Sequence, residues 1–196
     1  MADNVREKIN EFVKKKLERF KSLPDNTCRA ELAELRRGVG RVPGELPILF
    51  GALLTELPEE FYGKNGDPSR AEWAIYIALT MFALHQQGHD IATECMYADK
   101  MHFGKAVRQL APMNDDSSEE LNRIRARFNT IATSSDIREL SNHLRGMIRL
   151  LSRAGIPLDY VSLAWDLFEY TSTATVSRVR LRWGQDFYHT TNNVKN

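Results

Sequence analysis

The run His85-Gln-Gln-Gly-His89-Asp90 is the first place in this chain where residue types suggest reaction chemistry. A His-Asp pair with a second histidine four residues back is how a divalent-metal phosphohydrolase site can begin, with ring nitrogens and a carboxylate activating a metal-bound water. Such a site needs further ligands from other elements, and only His102, His143 and Asp159 stand as loose candidates. Gly88 interrupts the helix ahead of His89, so the two imidazoles need not share a face. The run reads as a polar helix end, and no metal or cofactor is expected. Cys28 beside Arg29 has the neighbourhood of an acidified thiol, but no histidine partners it locally, so it reads as a small buried residue. Glu59-Glu60 and Asp115-Asp116 fall in loop or cap positions and read as helix-capping charge. No phosphate-cradling glycine motif occurs. The chain is therefore expected not to be an enzyme.

Arginine supplies a different chemistry, that of phosphate recognition through a planar fork of donors that lysine lacks. Between Ala106 and Val194 there is no lysine, yet arginine occupies positions 108, 123, 125, 127, 138, 145, 149, 153, 178, 180 and 182. At about 100° per residue, Arg138, Arg145, Arg149 and Arg153 share one helical arc opposite Ile137, Leu140, Leu144, Met147, Ile148 and Leu151. Neither Asp136 nor Glu139 lies in that arc, so the stripe is not neutralised along its own helix. Arg123 and Arg127, Arg178 and Arg182, Lys105 and Arg108, and Arg36, Arg37 and Arg41 form further clusters. The segments Arg123-Ile-Arg-Ala-Arg-Phe128 and Arg178-Val-Arg-Leu-Arg-Trp183 repeat one local pattern. A solubility surface intersperses both signs, whereas segregated clusters on a chain of net charge +1 point to a polyanionic partner such as nucleic acid. The competing reading is a helical scaffold whose arginines meet acidic protein surfaces.

These side chains must be carried by helices. Val5, Ile9, Phe12, Val13, Leu17 and Phe20 recur at helical spacing around Lys14, Lys15 and Lys16, predicting an amphipathic helix stopped near Pro24. Thr27 is the expected cap of a second helix that Gly38 ends. The Gly/Pro-rich stretch from Gly38 to Pro47 is a loop, followed by a short apolar helix from Ile48 to Leu57. Pro68 is expected to open the most apolar helix, Ser69 to Gln87, as a central buried element that Gly88 closes. His89 to Met101 has no clear period. Phe103 to Leu110 is a short helix; Asp115 to Ser118 cap another that reaches about Thr133. Ser135 is the expected cap of a helix to Ala154, Pro157 the start of one to Tyr170, and Val176 to Tyr188 the last. The aromatics at these spacings, Trp73, Phe82, Trp165 and Trp183 among them, read as core. No alternating run bounded by turns predicts a strand, so the fold class is all-α, a compact single-domain bundle of roughly eight or nine helices.

Composition agrees with that class. In 196 residues, 42% are hydrophobic and 27% charged, the balance of a soluble globular chain. No apolar run reaches the roughly 18 to 20 residues that span a bilayer, and the N-terminal stretch lacks a signal-peptide core. Two cysteines exclude a disulfide framework and suit a reducing cytoplasm. Residues 1–24 are assigned to the lysine-rich helix, 25–190 to the helical domain and 191–196 to a tail.

Six segments then stand in a telling order: Arg29-AELAELRRG-Val39, Ala78-LTMFALHQQ-Gly88, His102-FGKAVRQLA-Pro112, Arg123-IRARFNTIAT, Glu139-LSNHLRGMIRLLSRAGIPLDY-Val161 and Arg178-VRLRWGQDFY-His189. From about Cys28 to Tyr188 the chain resembles the CasB family, the small subunit of Cascade, the type I-E CRISPR surveillance complex. The lysine-rich first helix and an acidic insert from Met113 to Glu120 depart from the family pattern. The resemblance implies an all-helical, non-catalytic subunit, present with a second copy of itself beside the backbone and large subunits. It also implies contact with the guide RNA–target DNA hybrid and the displaced single strand. Exchange of a DNA duplex for the hybrid is nearly balanced, so sequence-blind backbone contacts can tip it. By position in the family's segments, the resemblance assigns nucleic-acid binding to Arg36, Arg37, Lys105, Arg127, Arg145, Arg149 and Arg178. Arg41, Arg108, Arg138, Arg153 and Arg182 join them on charge geometry alone.

Overall fold

A computed structural model describes residues 2–112 and 118–189 of the chain. Among them are nine α-helices: α1 (Ala2–Ser22), α2 (Asp25–Arg37), α3 (Phe50–Leu54), α4 (Arg70–His85), α5 (Phe103–Arg108), α6 (Glu119–Ala132), α7 (Ile137–Arg153), α8 (Tyr160–Tyr170) and α9 (Val176–His189). Short 3-10 turns at Pro47–Leu49 and Glu59–Phe61 flank α3. No strand occurs among the described residues, so the fold is all-α; one isolated bridge joins Tyr97 to Leu158. The tail 191–196, and residues 113–117 of the acidic insert, lie outside the described residues.

α4 is the axis of the bundle. Every residue from Ala74 to His85 is buried, as its nearly all-round apolar sequence requires, and α1, α2, α7 and α8 surround it. α8 runs antiparallel to it: Arg70 at the start of α4 donates to the Phe168 carbonyl at 2.8 Å, while Tyr160 at the start of α8 donates to the Met81 carbonyl. α2 lies close enough that a Cβ on Gly38 would fall 2.7 Å from both Leu49 Cδ1 and Tyr76 Oη. Gly38 ends α2 with φ −77°, so close approach of side chains rather than left-handed backbone favours glycine there. α5, α6 and α9 extend the same core through aromatic contacts, Phe103 tilted against Trp183 at 4.9 Å and Phe128 stacked on Phe187 at 4.8 Å.

The helix starts differ from the sequence expectation in a consistent way. α2 begins after Pro24 with no side-chain cap, leaving Thr27 exposed within the helix. Ser69, not Pro68, begins α4, in a capping box with Glu72. Asp136, not Ser135, caps α7, and Asp159, not Pro157, caps α8, each accepting from two backbone N–H groups. In the last two cases the carboxylate satisfies two orphan donors at once, which one hydroxyl does less well. The segment from His89 to Met101 is pinned to the start of α8: Leu158 N–H donates to the Met96 carbonyl at 3.1 Å and Asp159 N–H to the Met101 carbonyl at 2.8 Å.

Candidate nucleic-acid interface

α7 is set by its ends and its underside. Asp136 Oδ1 accepts from the N–H groups of Arg138 and Glu139, both at 2.8 Å, and fixes the first turn. Leu140, Leu144, Met147, Ile148 and Leu151 are buried where α7 meets α4 and α6. At the far end Ser152 Oγ donates to the His85 carbonyl at 2.9 Å, tying α7 to the exit of α4. Each buried aliphatic contributes roughly 1.5–3 kcal/mol relative to exposure, so this underside alone commits the helix to its place. The opposite face is then forced outward. Arg138, Arg145, Arg149 and Arg153 are all exposed, and none meets a carboxylate among the described residues. Arg138 lies over the Trp73 ring at 5.7 Å to the centroid. Glu139 is turned aside, accepting from Ser135 at 2.7 Å and lying 3.6 Å from His143, contacts that hold its carboxyl below the usual range.

Two neighbours extend this surface. The loop leaving α2 runs beside α7, since a Cβ on Gly40 would stand 3.9 Å from Asn142 Oδ1. It brings the exposed Arg37 and Arg41, the latter 3.6 Å from Glu45. Arg36 is half-buried, with a long 3.5 Å contact to the Ala83 carbonyl, and burial lowers its pKa. α6, packed on α7, presents Arg127 without an ion pair among the described residues, whereas Arg123 is held by Glu119. Lys105 is exposed on α5. α5 itself is seated by Gly104, where a Cβ would collide with the Trp183 carbonyl at 2.1 Å.

The other assigned residues are placed differently. Arg108 is 1% exposed and donates to the carbonyls of Ala111 and Pro112, closing the end of α5 from inside. Its expected surface position is corrected: α5 is wedged among α6, α7 and α9, so Arg108 is turned into the protein. Arg182 is likewise not on an open face. It binds Asp166 and Glu169 of α8, and Asp166 also accepts from Trp183 Nε1 at 2.6 Å. Burial pushes the Asp166 carboxyl up, against the pull of Arg182 and Trp183. Arg178 remains exposed but lies 3.6 Å from Glu169, and Arg180 donates to the Ser134 carbonyl. The acids that bind α9 stand 13 and 16 residues before Arg182 in sequence, beyond any helical period, so the local pattern carried no sign of them.

The histidine run does not assemble. His85 is fully buried, its Nδ1 2.9 Å from Tyr160 Oη, and burial pushes its pKa down to about 4 despite the carbonyls of Ile156 and Leu151. His89 faces the Ser152 carbonyl and Glu94, and Asp90 caps its own turn at Ala92. Among the described residues no three His, Cys, Asp or Glu side chains are grouped to hold a metal ion, and no helix is long and apolar enough to cross a membrane. The lysines of α1 are directed elsewhere. Lys8 pairs with Glu60, Lys15 with Glu56, and Lys16 donates to the Thr55 carbonyl, so they fasten the segment after α3.

One family model, CRISPR-associated protein Cse2, matches residues 31–188. The chain belongs to the Cse2 family. That span lies within Cys28 to Tyr188, the stretch that resembles CasB. The Cse2 chain is 29% identical to CasB from Thermobifida fusca, with a TM-score of 0.75, covering 92% of this chain and 98% of that one. CasB from Thermus thermophilus is 20% identical with a TM-score of 0.66, covering 92% and 97%. A chain of a CRISPR RNA-guided surveillance complex is 19% identical with a TM-score of 0.70, covering 97% and 96%. At the latter two identities the likeness is one of fold. Comparison with curated proteins returned no match.

Proposed function

We propose that this Cse2-family chain is a non-catalytic, cytoplasmic subunit of a CRISPR RNA-guided surveillance complex, holding nucleic acid by sequence-independent backbone contacts. Membership in the family and the likeness to a chain of such a complex support the setting. The observation that carries the chemistry is the α7 face: four exposed arginines without a carboxylate partner among the described residues. Arg138 to Arg153 spans about 22 Å, enough to follow about six phosphates of a B-form strand. Arg36, Arg37, Lys105, Arg127 and Arg178 are proposed as further contacts from other elements. Arg108 and Arg182 are left out, because their guanidinium groups serve the fold. The ligands are the displaced strand and the guide RNA–target hybrid. The other protein subunits and a second copy of this chain are its neighbours.

The test compares wild type with Arg145→Ala/Arg149→Ala in otherwise identical reconstituted complexes. If each arginine meets one phosphate of a single strand, the log K against log salt slope falls in magnitude by about 1.4. Full strand displacement on matched targets weakens or slows while guide RNA stays bound, and the loss is similar across target sequences. An unchanged slope and unchanged displacement by a folded variant assign these arginines to the solvated face. A scaffold reading is favoured by one observation, the use of Asp166 and Glu169 to bind α9 arginines within the chain. On that reading the α7 variant loses protein partners instead.

A further inference from the structure

Exposed large apolar side chains are concentrated in one segment. Of the five among the described residues, Ile48, Phe50 and Tyr62 fall within one short segment around α3, each more than 40% exposed. Phe50 and Tyr62 form part of the lining of a cavity of about 270 Å³ whose floor is Leu53, Leu57, Ile75 and Tyr76. Its walls are fixed in advance. Gly63 N–H donates to Glu72 Oε2 at 2.8 Å, Asn65 and Gly66 turn with φ of 58° and 83°, and Tyr76 Oη donates to the Gly38 carbonyl. A preformed apolar pocket with exposed aromatics at its edge is the anatomy of an interface anchor site.

Charge narrows the occupant. Asp67 and Glu72 are the charged residues of the cavity's lining, which holds no basic side chain. Around it Arg41, Lys15 and Lys8 answer Glu45, Glu56 and Glu60, but Glu59 and Asp67 are exposed and have no ion pair among the described residues. An acidic rim repels nucleic acid and anionic lipid and attracts basic protein. The cavity falls below the roughly 300–1,000 Å³ of drug-sized ligand sites but accepts one large apolar side chain. The exposed rings of Phe50 and Tyr62 also offer faces to a cation.

We propose that this pocket docks a sibling protein of the complex through a segment that inserts one apolar side chain flanked by lysine or arginine. The proposal rests on the reading that the chain is a complex subunit. A second copy of the chain is the weaker fit. Its exposed Leu181 lies among arginines, but Arg178 and Arg182 are already paired with Glu169 and Asp166.

The test places the photo-crosslinking residue benzoylphenylalanine at position 62 of the full chain, purifies the assembled complex with its guide RNA, and identifies the crosslinked peptide. The expected product is a peptide of another protein subunit with an apolar residue flanked by at least two Lys or Arg. Crosslinks to nucleic acid, to a second copy of this chain, or none at all in an assembled complex overturn the proposal. In parallel, Glu59→Lys/Asp67→Lys, both exposed, is expected to lower incorporation into the complex at least tenfold while the salt slope of single-strand binding by the isolated chain stays at its wild-type value. Undiminished incorporation overturns the proposal. A wild-type chain that never enters a guide-RNA complex overturns the functional reading together with this proposal. Entry of the wild type with no effect of the rim variant overturns this proposal alone.

Discussion

Helices α7 and α9 both line arginines along a face beside an apolar arc, and both dock that arc in the core. In α7, Leu140, Leu144 and Leu151 are buried and the arginine face meets no acid among the described residues. In α9, Val179, Trp183 and Phe187 are buried, but α8 sets Asp166 and Glu169 against Arg182 and Arg178, and Arg180 reaches the Ser134 carbonyl and Tyr170. A cationic helix face is thus a binding surface or a structural clamp according to what the neighbouring helix presents. Desolvated carboxylates on α8 need a counter-charge, and α9 supplies it. Among the described residues no element makes that demand on α7.

The comparison breaks most visibly at Arg182. Its loss leaves Asp166 buried without its cation, and breaking a buried pair costs about 3–5 kcal/mol; with Arg182 itself half-exposed, about 2–3 kcal/mol is expected for Arg182→Ala by urea unfolding. A loss under about 0.5 kcal/mol would put α9 in the same class as α7.

A pH effect of similar size is expected beneath the far end of α7, at His85. Folded, it stays neutral down to about pH 4. Unfolded, it protonates near pH 6.5. As pH falls between these values the unfolded chain binds a proton that the folded chain refuses, so stability drops, by up to about 3 kcal/mol at pH 4. It is fully present above pH 6.5. His85→Gln is expected to flatten the stability profile in this window relative to wild type. An unaltered acid limb in the variant would assign the loss to other groups.

Asp136→Ala removes the two cap bonds of α7 and is expected to cost about 1 kcal/mol, seen as a lowered melting temperature. Asp136→Asn should restore most of it, because the amide oxygen still accepts. The smallest effect on stability belongs to the α7 face itself: Arg145→Ala and Arg149→Ala should each stay within about 0.5 kcal/mol of wild type. The same pair carries the largest expected effect on salt-dependent strand binding, which Arg182→Ala should leave unchanged if the variant is folded. A reversal of that pattern would exchange the roles of the two helices.

What was legible follows from local physics. The period of Leu140, Leu144 and Leu151 placed Arg145 and Arg149 outside, and the apolar run of α4 placed it at the centre. Helix starts were less legible because Thr27, Ser135 and Asp136 are all plausible caps, and only backbone geometry selects among them. Arg108 illustrates the limit. On a short helix its exposure is not set by its own period but by α6, α7 and α9 closing around it.

By itself the sequence determined the helical class, the central element, the outward arginine stripe of α7 and the family to which the chain belongs. Each depends on residues close in the chain or on ordered segments, where side-chain periodicity decides the outcome. Only the tertiary structure decided which cations remain available. It paired Arg182 with Asp166 and Glu169, buried Arg108, spent Lys8, Lys15 and Lys16 on the segment after α3, and gathered Phe50 and Tyr62 around one cavity lined by Asp67 and Glu72. These are encounters between residues far apart in the chain, 52 positions for Lys8 and Glu60. Their energies depend on burial and on the partner's charge, which no local pattern encodes.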